Sequence, residues 1–161
     1  MKIILFALVL APAVALSQQS TFETKSMTPE TALSAARAAL EHCRKAGYQV
    51  SVAVVDRAGL PQVLLRDRFA GPHTLSIATD KAWTAASFKL ATSAIAKETL
   101  PGTPMNGLRN QPRVVAVGGG LPIESSGSLL GAIGVSGAPG GEADDACAAA
   151  GIKAIAEAIE F

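Results

Sequence analysis

Two histidines, His42 and His73, are the side chains best suited to bind a metal or to exchange a proton near neutral pH. With only two histidines in the chain, a zinc site built from several histidines of one protomer is excluded. His73 follows a Gly-Pro pair at the expected start of a helix, which predicts an exposed position at a pocket or interface. We interpret it either as a pocket or ligand residue or as a capping histidine on the surface. His42 lies on an Ala-rich helix and is most simply a helix-face residue.

Signatures of hydrolytic enzymes are missing from the sequence. It contains neither the G-x-S-x-G elbow of a serine nucleophile nor the H-E-x-x-H pattern of a zinc protease. Asp56, Asp67 or Asp80 would serve as a general base if one of them were buried in a pocket. Asp56 is better explained by its turn, however, and Asp80 by exposure to solvent. The sequence therefore favours a binding protein over an enzyme.

The glycine run in "VGGGLPI", residues 117–123, raises the question of a phosphate-binding loop. Such a loop needs a helix N-terminus directly after the glycines, and a Walker motif adds a lysine followed by serine or threonine. Here a strand-like segment follows, and no lysine occurs for more than 30 residues. The run instead predicts a bulge or bend between strands, or space where another backbone or a flat ligand approaches.

Hydrophobic periodicity predicts the element order α-β-β-α(α)-β-β-β-α. Thr28, Pro29 and Glu30 are typical of a helix start, and Gly47 of its end. The predicted strands and long loop are a hairpin at 50–55 and 62–65, a loop at 101–113, and strands at 113–117, 121–125 and 128–136. Strands linked mostly as hairpins indicate an α/β (α+β) domain in which helices cover one five-stranded antiparallel sheet.

The N-terminus reads as a secretory signal peptide. Residues 1–15 combine Lys2, an apolar run and the small-residue ending Ala13-Val14-Ala15, with cleavage expected after Ala15 or Ser17. The alternative is a buried N-terminal strand. We expect an extension at 16–26 and one domain at 27–161, in a periplasmic or secreted protein. Without Lys2 the basic and acidic residues balance, so no nucleic-acid partner is predicted.

Export also bears on the two cysteines, Cys43 and Cys147, which fall in the predicted first and last helices. An oxidising compartment permits a disulfide that the cytosol would not. If the two helices pack side by side, the bond is geometrically possible. The alternative is two small buried thiols.

Four motifs occur in order between residues 27 and 160: VAVVDRAGLPQVLLRDR, DKAWTAASF, GGGLPI and GAIGVSGA. In these motifs the chain resembles the HbpS/GlcG-like haem-binding family, which also supplies the C-terminal domain of PduO-type proteins. The resemblance implies a profilin-like sandwich around a five-stranded antiparallel sheet, and assembly into homo-oligomers such as octamers. For several members it also implies haem binding or degradation, or redox sensing with a sensor kinase. Alternatives are an enzyme or metabolite-binding protein that uses no haem, and a structural oligomer that docks on a membrane receptor.

If the chain binds haem, as the resemblance implies, its own residues offer candidate contacts. The entry "GPHT" at 71–74 and the segment "DKAWTA" at 80–85 match the family, with Trp83 where Tyr or Phe is more usual. His73 is then the candidate ligand of haem iron, and Met105 is either a thioether ligand or a loop anchor. Cations for the propionates, unless they form solvated salt bridges, would come from Arg66, Arg68, Lys81, Arg109 and Arg113.

Overall fold

A computed structural model describes residues 20–161. The predicted signal peptide, its cleavage sites and the first residues of the extension lie outside the described residues. The helices are α1 Pro29–Lys45, α2 His73–Phe88, α3 Thr92–Glu98 and α4 Gly141–Ile155, and the strands are β1 Ser51–Asp56, β2 Pro61–Arg66, β3 Gly120–Ser125 and β4 Ser128–Ser136. Single 3₁₀ turns occur at Asn106–Asn110 and Glu157–Ile159. Within 20–161, no helix is long and apolar enough to cross a membrane.

The sheet has four strands in the order β2-β1-β4-β3, and every neighbouring pair is antiparallel. The α+β class and the antiparallel arrangement are confirmed, whereas the expectation of five strands was wrong. The predicted strand at 113–117 lies against α2 instead. Thr84 explains this placement, because its hydroxyl donates to the Arg113 carbonyl and accepts from the Val115 N–H, both at 3.1 Å. A helix side chain thus satisfies backbone groups that a neighbouring strand would otherwise bond.

Helices cover both faces of the sheet, and the alternation of side chains along β1 shows how. Val52 and Val54 belong to the core under α1 and α4, while Ala53 and Val55 belong to the core under α2. The α2 side is built almost wholly from alanines, which lets that helix lie close to β1 and β4. The α1 start is as predicted, since the Thr28 hydroxyl accepts from the Thr31 N–H at 3.2 Å.

A disulfide joins α1 to α4. Cys43 and Cys147 are both buried, and their Cα atoms are 5.6 Å apart. The two helices approach this closely because small residues line the contact, among them Ala35, Ala39 and Gly151. The bond therefore closes a loop of 104 residues that contains all four strands of the sheet.

Reducing this disulfide should destabilise the protein. Because the bond restricts a long loop in the unfolded chain, we expect its loss to lower the free energy of unfolding by about 2–4 kcal/mol. Urea denaturation with and without reductant measures the change. A Cys43→Ala/Cys147→Ala variant is the control and should not respond to reductant. Identical curves for the wild type in both conditions would contradict the prediction.

Candidate functional site

The candidate site is a groove between α2, the 113–117 segment and the loop from β4 to α4, which we call the α2 groove. It encloses about 500 Å³, within the usual range for ligand pockets. Its lining residues are His73, Ile77, Lys81, Val115, Val117, Ser136, Gly137, Ala138, Gly140, Gly141 and Asp144. A larger hollow of about 690 Å³ between α1 and β2 is lined mostly by charged side chains. Three of its four charged residues are already paired, Arg44 with Asp67 and Lys45 with Glu41, so the α2 groove is the better candidate.

Helical spacing orders the α2 side of the groove by depth. His73, Ile77 and Lys81 are four residues apart and therefore share one helix face. The imidazole of His73 is exposed at the mouth, Ile77 is half-buried, and Lys81 is only 2% exposed at the floor. Across from them, Val115 and Val117 form an apolar wall. The groove thus offers one accessible imidazole above apolar sides.

A buried ion pair forms the floor. The Lys81 Nζ donates to Asp144 Oδ2 at 2.7 Å and to the Val135 carbonyl at 2.9 Å. The other carboxylate oxygen of Asp144 accepts from the Ala138 N–H at 3.0 Å. Burial raises the pKa of Asp144, and the ammonium of Lys81 opposes that rise. The floor is therefore polar, but its charges compensate each other.

The glycine run closes this floor from the sheet side. Gly119 has a φ of +117° and its carbonyl accepts from the Val135 N–H at 2.8 Å. A Cβ on Gly119 would lie 2.7 Å from the Lys81 Nζ and 2.5 Å from the Val135 oxygen. The Gly119 N–H donates to the carboxylate of Asp145. These contacts agree with a close backbone approach rather than a phosphate loop, since the anion at the glycines is the protein's own carboxylate.

The wall at 113–117 is held against α2 by more than Thr84. The Arg113 Nε donates to Asp80 Oδ1 at 2.9 Å, and the guanidinium lies 4.7 Å from the centroid of the Trp83 ring. Asp80 is therefore an ion-pair partner rather than simply a solvent-exposed acid. Arg113 itself has a φ of +69°, which is uncommon outside glycine and marks a sharp turn into the wall.

Of the residues proposed as haem contacts, the structure brings His73 and Lys81 together in the α2 groove. Lys81 is buried and paired with Asp144, so its ammonium is not presented to a ligand at the mouth. Arg68 is exposed on the turn before α2, outside the groove lining. His42 is exposed on α1, which covers the opposite face of the sheet.

Arg109 and Met105 also lie outside the groove lining. The Arg109 guanidinium donates to the carbonyls of Thr99 and Ala96, at 2.6 and 2.8 Å, and so satisfies the C-terminal end of α3. Met105 is 45% exposed just before the 3₁₀ turn at Asn106–Asn110. Arg109 thus anchors the 101–113 loop to α3.

The remaining aspartates that were considered as general bases have structural partners. Asp56 accepts from the N–H groups of its own turn, as expected from the sequence. Asp67 accepts two hydrogen bonds from Arg44, at 2.6 and 2.9 Å, and the hydrogen-bonded guanidinium holds the pKa of this carboxyl below its ordinary value. Neither lines the α2 groove. Among residues 20–161, no three His, Cys, Asp or Glu side chains are grouped to hold a metal ion.

Sequence reasoning missed most of the groove lining. Asp144 was not among the candidate residues, and Val115 and Val117 were expected only as residues of the strand at 113–117. The four-residue spacing of His73, Ile77 and Lys81 was available as a signal for one shared face. The partner of Lys81 had no such signal, because Asp144 is 63 residues away in the chain.

Replacing Lys81 should show how much the carboxylate of Asp144 destabilises the fold when it is buried without a cation. In Lys81→Met, Asp144 loses its cation, and we expect the free energy of unfolding to fall by about 3–5 kcal/mol at neutral pH. Without the ammonium the pKa of Asp144 rises further above the 3.8 of an unperturbed aspartate. A raised folded-state pKa means that stability is retained below the unfolded value and lost as the pH rises through the folded value. Urea denaturation at several pH values should therefore show that Lys81→Met loses less free energy of unfolding, relative to the wild type, at about pH 4 than at neutral pH.

The matched control for this variant is Lys81→Met/Asp144→Asn, which removes both charges. The loss in free energy of unfolding of this double variant, relative to the wild type, should not become smaller at low pH, because no buried carboxylate remains to be protonated. A deficit in Lys81→Met that is equally large at both ends of the pH range would contradict the assignment.

A methyl group at Gly119 should disturb the same floor. Gly119→Ala combines a positive φ with contacts to Val135 and Lys81, so we expect a loss of about 2–4 kcal/mol in the free energy of unfolding. Gly127→Ala is the control, because Gly127 also has a positive φ, +75°, but open space around it. It should cost about 1 kcal/mol. Equal losses in the two variants, measured by urea denaturation, would refute close packing at Gly119.

Relatives of known sequence and structure share this fold. The family model described as "Haem degrading protein HbpS-like" matches residues 27–153. The corrinoid adenosyltransferase PduO of Salmonella typhimurium (strain LT2) is 36% identical over 103 residues, which are 63% of this chain and 31% of the relative. The chain thus spans about a third of the length of that curated relative.

Two solved structures are similar over most of their length. The structure of a double mutant of HbpS from Streptomyces reticuli is 39% identical with a TM-score of 0.78, covering 89% of this chain and 97% of that one. A structure described as a PduOC:heme complex is 32% identical with a TM-score of 0.76, covering 81% and 95% of the two chains. From the family match over most of its length, we conclude that this chain belongs to the HbpS-like family.

Proposed function

We propose that this protein is an exported haem-binding protein that holds haem noncovalently in the α2 groove, with His73 as a ligand of the iron. The observation that carries the proposal is the exposed imidazole of His73 at the mouth of a groove with apolar sides, formed by Ile77, Val115 and Val117. Haem iron is commonly bound by a histidine and the ring by apolar side chains, and His73 and these three residues would supply both.

The cations for the propionates are less concentrated than the sequence suggested. Lys81 is committed to Asp144, Arg113 to Asp80, and Arg109 to the end of α3. The Arg66 Nε likewise donates to the carbonyl of Ala70. Of these five cations Arg68 remains, exposed on the turn that leads into α2 although outside the groove lining, and we propose it as the cation that meets a propionate.

Bound haem would supply a redox-active iron, and the residues of the chain would supply its ligand, its apolar surroundings and its orientation. The PduOC:heme complex, at 32% identity, supports haem as the ligand for a chain of this fold. The name of the family model includes haem degradation. Scavenging, degradation and redox sensing would all start from the same bound state, so binding is the step proposed here.

Export is supported by two features. Residues 1–15 have the three-part pattern of a secretory signal peptide, which implies a periplasmic or secreted protein. The disulfide between Cys43 and Cys147 fits an oxidising compartment of that kind. We also propose a homo-oligomer as the working state, with a membrane receptor as a further partner.

Titration of the purified protein with hemin tests the proposed function. We expect a saturable shift of the Soret band in the wild type and an affinity at least tenfold lower in His73→Ala, because the iron would lose its axial base. His42→Ala is the matched control, since it removes the other histidine from the opposite face of the sheet, and it should bind as the wild type does. A wild type without a saturable spectral change would overturn haem binding. Equal affinities in both variants would overturn the ligand assignment alone.

A further inference from the structure

The buried hydroxyl groups of Ser51 and Thr74 connect β1 to the first turn of α2. Thr74 is 1% exposed and Ser51 is fully buried in β1. Their hydroxyl oxygens are 2.7 Å apart, although the residues are 23 positions apart in the chain. Thr74 follows His73 immediately, so this pair lies next to the exposed imidazole at the mouth of the α2 groove.

The direction of these hydrogen bonds follows from counting protons. The Thr74 hydroxyl is 2.6 Å from the Gly71 carbonyl, which only accepts, so the single hydroxyl proton of Thr74 is donated there. Ser51 must then donate its own proton to the Thr74 oxygen. The result is a directed chain from Ser51 through Thr74 to the Gly71 carbonyl, which also accepts from the Thr74 N–H at 3.0 Å.

The Gly71 carbonyl accepts a helix N–H where a side-chain cap is missing. Pro72, at the N-cap position of α2, makes no side-chain hydrogen bond to the helix. The first turn is also bonded to β1, a central strand of the sheet. Ser51 at the start of this strand pairs with Arg66 of β2 and with Ser136 of β4. The backbone that carries His73 is thereby held in register with Ser136, which lines the same groove.

Gly71 controls the other side of the imidazole. A Cβ on Gly71 would lie 2.6 Å from Cε1 and 2.8 Å from Nδ1 of His73, so the ring rests over this glycine. An alanine there would displace the ring without removing it. The position of the His73 ring is thus determined by Gly71, and the position of its backbone by the hydroxyl groups of Ser51 and Thr74.

We infer that Ser51 and Thr74, together with Gly71, are positioning residues that aim the imidazole of His73 into the α2 groove. The inference rests on the proposed function, in which His73 binds the iron. A ligand held by a packed anchor loses less conformational freedom on binding than one on a frayed helix end. The hydroxyl groups therefore set the affinity and geometry of iron ligation by His73 without contacting the haem themselves.

The test compares Thr74→Val, which removes the hydroxyl at similar volume, with Thr74→Ser, which retains it. Hemin affinity should fall at least tenfold in Thr74→Val, with a lower fraction of histidine-ligated iron in the electron paramagnetic resonance spectrum, and Thr74→Ser should restore both. If Thr74→Val does not fold, Gly71→Ala serves instead, because it moves the ring and leaves the hydroxyl chain intact. Wild-type affinity and spectrum in the variant that folds, with binding lost in His73→Ala, would overturn the inference.

A second readout does not depend on haem. In the protein without hemin, the imidazole Cε1–H of His73 should give one sharp NMR resonance, which broadens or splits in Thr74→Val while that of His42 is unchanged. An unchanged His73 resonance would overturn the inference even if the wild type binds no hemin. Absence of hemin binding combined with a broadened resonance would reject the proposed function and retain the positioning role.

Discussion

The buried pair of Lys81 and Asp144 links the parts of the structure that must meet at the α2 groove. Lys81 belongs to α2 on one face of the sheet, and Asp144 lies in the first turn of α4, which packs on the other face. The Lys81 ammonium also bonds the carbonyl of Val135 in β4, between the two. Burying two charges is costly, and the cost is offset only if both groups keep their hydrogen bonds. Three of those bonds are supplied here by the pair itself, Val135 and Ala138.

The surroundings of this pair show why small residues are concentrated in the chain. Gly119 must have no side chain because the ammonium and the Val135 carbonyl occupy that space. The alanine face of α2 lets the helix lie close enough for Lys81 to reach the end of β4. On the opposite side, the disulfide and the alanines of α1 hold α4 against the sheet. The groove is therefore shaped by close packing on both faces, and its apolar walls border a charged but compensated floor.

Local signals were sufficient for most of the secondary structure. The Thr28 cap and Pro29 predicted the start of α1, and the turn around Asp56 predicted the first hairpin, since both depend on hydrogen bonds within a few residues. The strand predicted at 113–117 was wrong for a different reason. Its valines have the alternation of a strand, but the partner of its backbone is the hydroxyl of Thr84, about 30 residues earlier in α2. No local pattern distinguishes a side-chain partner from a neighbouring strand.

The sequence by itself determined the start and end of α1, the two antiparallel hairpins and the family resemblance, because these depend on periodicity, caps and short motifs. It also identified His73 as the histidine at a helix start. Only the tertiary structure decided that Lys81 is enclosed with Asp144 rather than presented to a ligand, and that Val115 and Val117 form the opposite wall. Those outcomes depend on which distant elements meet across the sheet. The burial of Lys81 and Asp144 and the compensation of their charges arise only when α2 and α4 pack on the sheet. Neither residue shows them in the sequence alone.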